Sequence, residues 1–172
     1  GYDHPTADGP IFQIIQAAVD TGIAEAAILD AITFIKTKSR PWIDSGLERN
    51  SDDPYVIQAI GQLKVRLSAT EALLERAGIA VDRAVREPNA ETVAAAQIAV
   101  AESKIFSTEL AIDASNKLFE LSGTRSVLAE HNLDRHWRNA RTHTLHDPVR
   151  WKYAIVGNHA LNGVKPPLHA WS

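Results

Sequence analysis

Cysteine and methionine are both absent from this chain of 172 residues. The absence of cysteine excludes disulfide bonds, a thiol nucleophile and a metal centre with cysteine ligands. No apolar run approaches the roughly 18 residues of a membrane-spanning helix, and the opening GYDHPTADGP lacks the basic and apolar regions of a secretory signal peptide. Period-two alternation, which indicates β-strands, is also missing. These absences favour a soluble, all-α protein of the reducing cytoplasm.

The length of the chain suits one well-buried domain and is too short for two to be expected. Hydrophobic residues make up 45% and charged residues 23%, as is typical of globular proteins. Because the chain begins with Gly1 and has no methionine, we expect it to be a piece of a longer polypeptide. We predict a single helical domain over residues 1–172, with residues 1–9 as a leader from a preceding domain and residues 164–172 as an extended tail.

Charge is distributed unevenly along the chain. Residues 1–122 carry 11 basic and 18 acidic side chains, whereas residues 123–172 carry 7 basic and 3 acidic ones. Six of the seven histidines also lie beyond residue 130. A basic, histidine-rich end indicates an anionic partner such as a phosphate-bearing cofactor, with nucleic acid as a weaker candidate; a solvated surface is the competing interpretation.

Three long helices are predicted from apolar residues at helical spacing and from the residues that begin and end helices. The first follows Gly9-Pro10 and ends before Pro41. The second has Asp53 as N-cap and ends before Pro88; the third runs from Asn89 to Gly123, a residue type suited to a left-handed C-cap. Three such helices leave one side of a core open. We therefore predict an up-and-down four-helix bundle with short extra C-terminal helices.

Two short helices are predicted beyond the third long one. The stretch VLAEHNLDRHWRNAR forms the first, and VRWKYAIVGNHAL forms the second, with Asp147 as its N-cap and Gly163 just past its end. The last residues, GVKPPLHAWS, cannot be helical at Pro166-Pro167, so we expect them to lie across a neighbouring surface.

The cluster His143-x-x-His146-Asp147 allows three interpretations. Two imidazoles and a carboxylate could bind a metal ion, but Pro148 disfavours helical backbone at Asp147, and no second group of ligands stands elsewhere. Acid–base chemistry is the second interpretation, because His146 titrates near neutrality and Asp147 could orient an imidazole. The third is structural: Asp147 only caps a helix and the histidines are surface groups.

Several features near the helix ends suit an anionic ligand. Arg135, Arg138 and Arg141 recur every three residues, so a helix would present them as a cationic ridge, unless acidic neighbours pair with them. The turn Ser122-Gly123 could place backbone N–H groups near a phosphate, although a helix C-cap explains the glycine equally well. Arg40, followed by Pro41 and Trp42, exposes a guanidinium after the first long helix, where a plain end of the helix is the alternative.

Together these elements resemble the C-terminal helical domain of the acyl-CoA dehydrogenase superfamily. The matching elements are the Arg-x-aromatic element Arg40-Pro41-Trp42, Gln58 near the start of the next helix, the turn Ser122-Gly123-Thr124, and an Arg-x-x-Arg-Asp-Ala-like signature at residues 135–140. The chain departs from the dehydrogenases at two points: only Gly123 remains of a Gly-Gly-x-Gly-Tyr turn, and Asp147-Pro148-Val149 replaces the catalytic Glu-Gly-Thr.

Two stretches resemble the flavin-dependent monooxygenase branch of that superfamily, namely LDRHWRNARTHTLHDPVRWKY and GNHALNGVKPP. This branch includes dibenzothiophene monooxygenase and the sulfur-acquisition oxidoreductases. The resemblance implies oxygen transfer to a small organosulfur or related compound through a flavin C4a-hydroperoxide, with reduced FMN supplied by a separate reductase. It implies that His146, His143 and Asp147 lie near the flavin, with His146 hydrogen-bonded to the hydroperoxide or its leaving hydroxide and Asp147 capping the next helix. It also assigns flavin-phosphate or inter-subunit contacts to Arg40, Ser122, Gly123 and Arg138.

The resemblance further implies a homo-oligomer, usually a tetramer, with the helical bundle at its core. An N-terminal helical domain and a central β domain of the family are missing from this sequence, so the fragment alone is expected to be inactive. Two alternatives stay open: an FAD-dependent acyl-CoA dehydrogenase with Asp147 as base, and a non-catalytic helical oligomerisation module. We expect no metal, nucleic-acid or membrane partner.

Overall fold

The computed structural model describes residues 4–170 and consists, within that range, of helices and their connections. Three long helices, α1 (Asp8–Thr37), α2 (Pro54–Arg86) and α3 (Ala90–Ser122), account for most of the chain. Two short ones follow, α4 (Asp134–His143) and α5 (Arg150–Asn162). Single 3₁₀ turns lie at Ile43–Ser45, Asn50–Asp52, Thr124–Val127 and Ala129–His131. The all-α prediction is confirmed.

The directions of the long helices follow from pairs of residues that meet across them. Asp20 of α1 contacts Lys104 of α3, and Ser39, just past α1, contacts Ser122 at the end of α3, so these helices are parallel. Helix α2 is antiparallel to α3, because Arg66 pairs with Asp113 and Arg76 pairs with Glu102. The arrangement is therefore up-down-up. The short helices α4 and α5 pack on α3, and α4 also contacts α1, so no fourth long helix completes the bundle within residues 4–170.

Local signals set the ends of α2 and α3 as predicted. The Asp53 carboxylate accepts a hydrogen bond from the Tyr55 N–H at 2.8 Å, which satisfies one of the unpaired donors of a helix start. Asn89 caps α3 through the Glu91 and Thr92 N–H groups, both at 3.0 Å. Gly163 ends α5 with φ +68° and ψ +15°, in the left-handed region.

Several details differ from the sequence predictions. Helix α1 begins at Asp8 and includes Gly9-Pro10, and α4 begins only at Asp134, because the predicted stretch first forms the 3₁₀ turn Ala129–His131. Helix α1 ends at Thr37, four residues before Pro41, so the proline does not stop it. Gly123 has the expected positive φ of +79°, but its ψ of −175° lies outside the left-handed helical region. The chain leaves α3 in an extended direction because it continues directly into the 3₁₀ turn Thr124–Val127. Glycine tolerates this conformation, which is strained for other residues.

The interior of the domain has two apolar clusters. One lies between the C-terminal half of α1 and the matching parts of α2 and α3, and includes Ile28, Leu67 and Leu118. The other lies at the opposite end of the long helices and includes Val81 and Val93. Alanines with no exposed surface occur in both clusters and allow the helix backbones to approach closely. Between the clusters, α1 and α3 bury polar and charged side chains instead.

The predicted C-terminal tail follows the surface of the long helices as far as residue 170. The Pro167 carbonyl oxygen accepts a hydrogen bond from the Gln97 side chain at 2.8 Å, and Leu168 packs on the second apolar cluster. Lys165 forms an ion pair with Glu91. The described part of the tail thus contacts α3 and the second apolar cluster; the first three residues of the predicted leader, and residues 171–172, lie outside the described range.

Candidate functional site

His143 is the last residue of α4, and its imidazole is bonded to the interior of the domain. Its Nδ1 lies 2.6 Å from Oδ1 of Asp20, a carboxylate with no exposed surface in the middle of α1. The other edge of the ring lines an open cavity of about 690 Å³, whose wall also includes Trp137 and Arg138. His143 is therefore a partly exposed imidazole held from behind by a buried carboxylate.

Sequence reasoning missed the residues that hold Asp20 in place. Its Oδ2 accepts hydrogen bonds from Lys104 Nζ at 3.0 Å and from the Thr108 hydroxyl at 3.1 Å. The Lys104 side chain has no exposed surface either. A buried carboxylate and ammonium satisfy each other's charge, which would otherwise be costly in the interior. The only sequence signal was an aspartate and a lysine inside otherwise apolar helix faces.

His146 is exposed and lies in the turn between α4 and α5. Its Nδ1 donates a hydrogen bond to the backbone carbonyl oxygen of His143 at 2.6 Å. The two imidazole rings are tilted against each other, with their centroids 5.3 Å apart. The structure thus brings the two predicted histidines together.

Asp147 does not cap α5, so that prediction is wrong. Helix α5 begins at Arg150, with Val149 in the N-cap position and no side-chain hydrogen bond at the cap. Asp147 is instead buried, with Oδ2 3.3 Å from the Nζ of Lys152, which is only 2% exposed. Burial lowers the pKa of Lys152, and the charge of Asp147 partly offsets that effect. The carboxylate turns inward because a buried ammonium needs a counter-charge.

The side chains of the predicted cluster therefore point to different partners. His143 is bonded to Asp20, His146 to a backbone carbonyl, and Asp147 to Lys152. Across residues 4–170, no three histidine or acidic side chains are placed to hold a metal ion together. The metal interpretation thus gains no geometric support from this region. In the same part of the chain, no helix is long and apolar enough to cross a membrane.

A second cavity, of about 300 Å³, gathers three of the residues predicted to bind the cofactor. Arg40, Ser122 and Gly123 line it together with Lys38 and Arg125. Ser39 closes its base by donating a hydrogen bond to the Ser122 carbonyl oxygen at 2.9 Å. The Ser122 hydroxyl is buried and has no hydrogen-bond partner among the described residues. We call this the cationic cavity, because three basic residues line it.

Arg138 lies apart from the cationic cavity, on the wall of the one that His143 lines. Its guanidinium pairs with Asp134 of the same helix at 2.9 Å. The neighbouring Arg135 pairs with Asp30 of α1 at 2.6 Å. Acidic partners therefore occupy two of the three arginines of the predicted ridge. Arg141 lines the His143 cavity and the adjoining one between α3 and α5.

Comparison with known proteins places the chain in a family. Residues 14–151 match the model of the acyl-CoA dehydrogenase C-terminal domain. The chain belongs to this family, as the sequence resemblance predicted.

Several similar proteins are named as monooxygenases. Dibenzothiophene monooxygenase of Mycolicibacterium goodii is 36% identical over 157 residues, which cover 90% of this chain and 38% of that protein. The probable FMNH2-dependent monooxygenase SfnC of Pseudomonas putida is 36% identical over 159 residues, covering 91% and 40%. The crystal structure of TdsC from Paenibacillus sp. A11-2 with FMN and indole superposes with a TM-score of 0.91 at 34% identity, covering 95% and 42%. The chain thus spans about two fifths of the length of these relatives.

Proposed function

We propose that this chain is the C-terminal domain of a monooxygenase that uses reduced FMN to oxygenate a small organosulfur or related compound. The observation that carries the proposal is the pair of adjacent imidazoles, His143 and His146, each held through Nδ1, with His143 lining an open cavity. Similar proteins are named as dibenzothiophene and FMNH2-dependent monooxygenases. The remainder of the active site belongs to parts of the relatives that this chain does not span.

The cationic cavity fits the phosphate of FMN. Lys38, Arg40 and Arg125 supply positive charge, and the buried Ser122 hydroxyl supplies a hydrogen-bonding group that nothing else in the described chain satisfies. Arginine binds phosphate oxygens in pairs through its planar guanidinium. The TdsC structure that contains FMN supports the choice of FMN over FAD. Arg138 remains a candidate for a contact with cofactor or a neighbouring subunit from the His143 cavity.

Reduced FMN, when bound, supplies the electrons that activate O2, so that one oxygen atom reaches the substrate and the other leaves as water. Formation of water requires a proton beside the departing oxygen. In this proposal His146 and His143 hold and deliver that proton, because histidine is a side chain that exchanges protons near neutral pH. Protein donors fixed in advance also stabilise the negative charge that develops on oxygen.

The position of Asp147 weighs against the alternative of an FAD-dependent acyl-CoA dehydrogenase. Such an enzyme needs a carboxylate that reaches the substrate and removes a proton. Asp147 is buried and faces the Lys152 ammonium, so it is not directed toward an open cavity. The other alternative, a non-catalytic oligomerisation module, does not account for the two held imidazoles or for the unsatisfied Ser122 hydroxyl.

The proposal includes a homo-oligomer, as a tetramer, and a separate flavin reductase in the cytoplasm. Exposed apolar side chains on one face of α1, namely Phe12, Ile15 and Val19, support association with another subunit. Further exposed apolar residues lie on α2, among them Tyr55 and Val65. Large exposed patches of this kind are typical of protein interfaces.

The proposal is tested on the full-length polypeptide that contains this chain. The protein is mixed anaerobically with reduced FMN, and O2 and an organosulfur compound such as dibenzothiophene or methanesulfinate are then added. Formation of the oxygenated product supports the monooxygenase. Reduction of bound FAD by an acyl-CoA without O2 would instead identify a dehydrogenase. A stable multimer that binds no flavin in either assay would identify the oligomerisation module.

A further inference from the structure

We propose that Asp20, held by Lys104 and Thr108, is a positioning residue that keeps the proton of neutral His143 on Nδ1 and directs the Nε2 lone pair toward the cavity. This inference rests on the proposed function for its catalytic meaning. The contact that carries it joins residues 123 positions apart, His143 Nδ1 and Asp20 Oδ1, at 2.6 Å.

Both carboxylate oxygens of Asp20 have hydrogen-bond partners. Oδ2 accepts hydrogen bonds from Lys104 Nζ and from the Thr108 hydroxyl, so the carboxylate cannot rotate without breaking them. Oδ1 is left to face the imidazole. A carboxylate paired with an ammonium is ionised and can only accept hydrogen bonds. His143 Nδ1 must therefore donate, and in the neutral ring the remaining lone pair is on Nε2.

Burial makes this arrangement rigid. Asp20 and Lys104 have no exposed surface, whereas the His143 side chain is 23% exposed at the cavity. The pair neutralises its own charge, so the imidazole is not needed as a counter-charge. No hydrogen bond joins Nε2 to another side chain within residues 4–170. The Asp20 carboxylate thus determines which nitrogen of His143 faces the cavity.

Asp20→Asn provides a sharp test, because the shape of the side chain is kept. Lys104 can only donate, so the amide oxygen takes the place of Oδ2 and the amide nitrogen faces His143. The amide nitrogen donates, and His143 must then accept through Nδ1 and carry its proton on Nε2. We expect the substitution to invert the tautomer of His143 and to destabilise the domain, because the buried Lys104 ammonium loses its counter-charge.

The tautomer is read by magic-angle-spinning NMR of full-length protein labelled with ¹⁵N-histidine, without flavin, at rising pH until the ring signals stop changing. His143→Gln identifies the His143 resonances. We expect Nδ1–H in the wild type and Nε2–H in Asp20→Asn. Nε2–H in the wild type, or Nδ1–H retained in the variant, would overturn the proposal. The wild-type spectrum decides the question even if the variant does not fold.

Asp30→Asn is the matched control. Asp30 also lies on α1 and contacts an imidazole, His136 Nε2 at 2.7 Å, but not that of His143. Asp30→Asn should leave the His143 tautomer unchanged.

With reduced FMN and substrate, Asp20→Asn should slow oxygen transfer on the order of 100-fold, without weakening FMN binding. Because the NMR readout needs no flavin, an absence of monooxygenase activity would refute the proposed function and leave the tautomer assignment standing.

Discussion

His146 donates a hydrogen bond from Nδ1 to the carbonyl oxygen of His143, at a distance of 2.6 Å. A backbone carbonyl can only accept, so the tautomer of neutral His146 is determined by the backbone of its neighbour. Its Nε2 is then the atom that can exchange a proton with solvent or a bound reactant. The two histidines thus contact each other in two ways. One contact is this hydrogen bond to the backbone, and the other is between the two rings, whose centroids are 5.3 Å apart.

Replacement of His146 by alanine should abolish most oxygen transfer and leave the fold intact. The side chain is exposed, so the free energy of unfolding should change by less than about 0.5–1 kcal/mol. Loss of a proton donor should lower the rate of product formation by about 100-fold or more. His159→Ala is the matched control, because His159 Nδ1 also bonds a backbone carbonyl, that of Val164. Equal activity of the two variants would show that His146 has no special role.

Arg40→Ala should weaken binding of FMN and leave binding of riboflavin unchanged, because riboflavin lacks the phosphate. A hydrogen bond to a charged group contributes about 1.5–3 kcal/mol, so the Kd for FMN should rise roughly 10-fold to 100-fold. Titration of the full-length protein by flavin fluorescence measures both constants. Arg49→Ala is the control, since Arg49 is exposed in the same connection and pairs with Asp52. An equal loss of riboflavin binding in Arg40→Ala would show that Arg40 does not bind the phosphate.

Asp147→Asn and Lys152→Met should each destabilise the domain, and their effects should not add. Removal of one partner leaves the other charge buried, at a cost of about 3–5 kcal/mol. The double variant should cost clearly less than the sum of the single ones, as measured by urea unfolding. The Lys117–Glu120 pair, which is more exposed, is the comparison and should show much weaker coupling, because water screens its charges. Additive effects would mean that Asp147 does not stabilise Lys152.

Asp30 should contribute to stability in a pH-dependent way. Burial raises its pKa, but hydrogen bonds from His136 and Arg135 outweigh burial and hold the pKa below its ordinary value of 3.8. A lowered pKa means that the ionised form stabilises the fold above pH 3.8, and that this contribution disappears as pH falls through the lowered pKa. Solvent screening limits the contribution to about 1 kcal/mol.

Urea unfolding at several pH values measures this contribution. Asp30→Asn should be less stable than the wild type near neutral pH, and the difference should shrink below pH 3.8. Asp44→Asn, an exposed position in the α1–α2 connection, should show no such trend. A difference that stays constant down to acid pH would show that the Asp30 charge does not stabilise the fold.

Features set by neighbouring residues could be predicted from the sequence. Asp53 and Asn89 cap their helices because each is followed directly by helix-forming residues, and Gly163 ends α5 for the same local reason. Asp147 follows the same pattern, yet its carboxylate turns toward Lys152, because a buried ammonium outweighs the stabilisation of a cap.

Contacts between distant segments could not be predicted. Asp20 and His143 meet only because α4 packs against α1, and no spacing in the sequence signals that. The cationic cavity could not be predicted either. Lys38 and Arg40 follow α1, and Arg125 follows α3. They line one cavity because the two helices are parallel and end at the same level. Similarity to known proteins indicated Arg40 and Ser122, but not Lys38 or Arg125.

The most direct test of the account follows a single turnover with ¹⁸O2. Full-length protein is loaded anaerobically with one equivalent of reduced FMN and an organosulfur substrate, ¹⁸O2 is admitted, and the product is analysed by mass spectrometry. We expect one ¹⁸O atom in the product for nearly every reduced FMN consumed, and a large loss of that yield in His146→Ala but not in His159→Ala. Reoxidation of FMN without labelled product in the wild-type protein would contradict it.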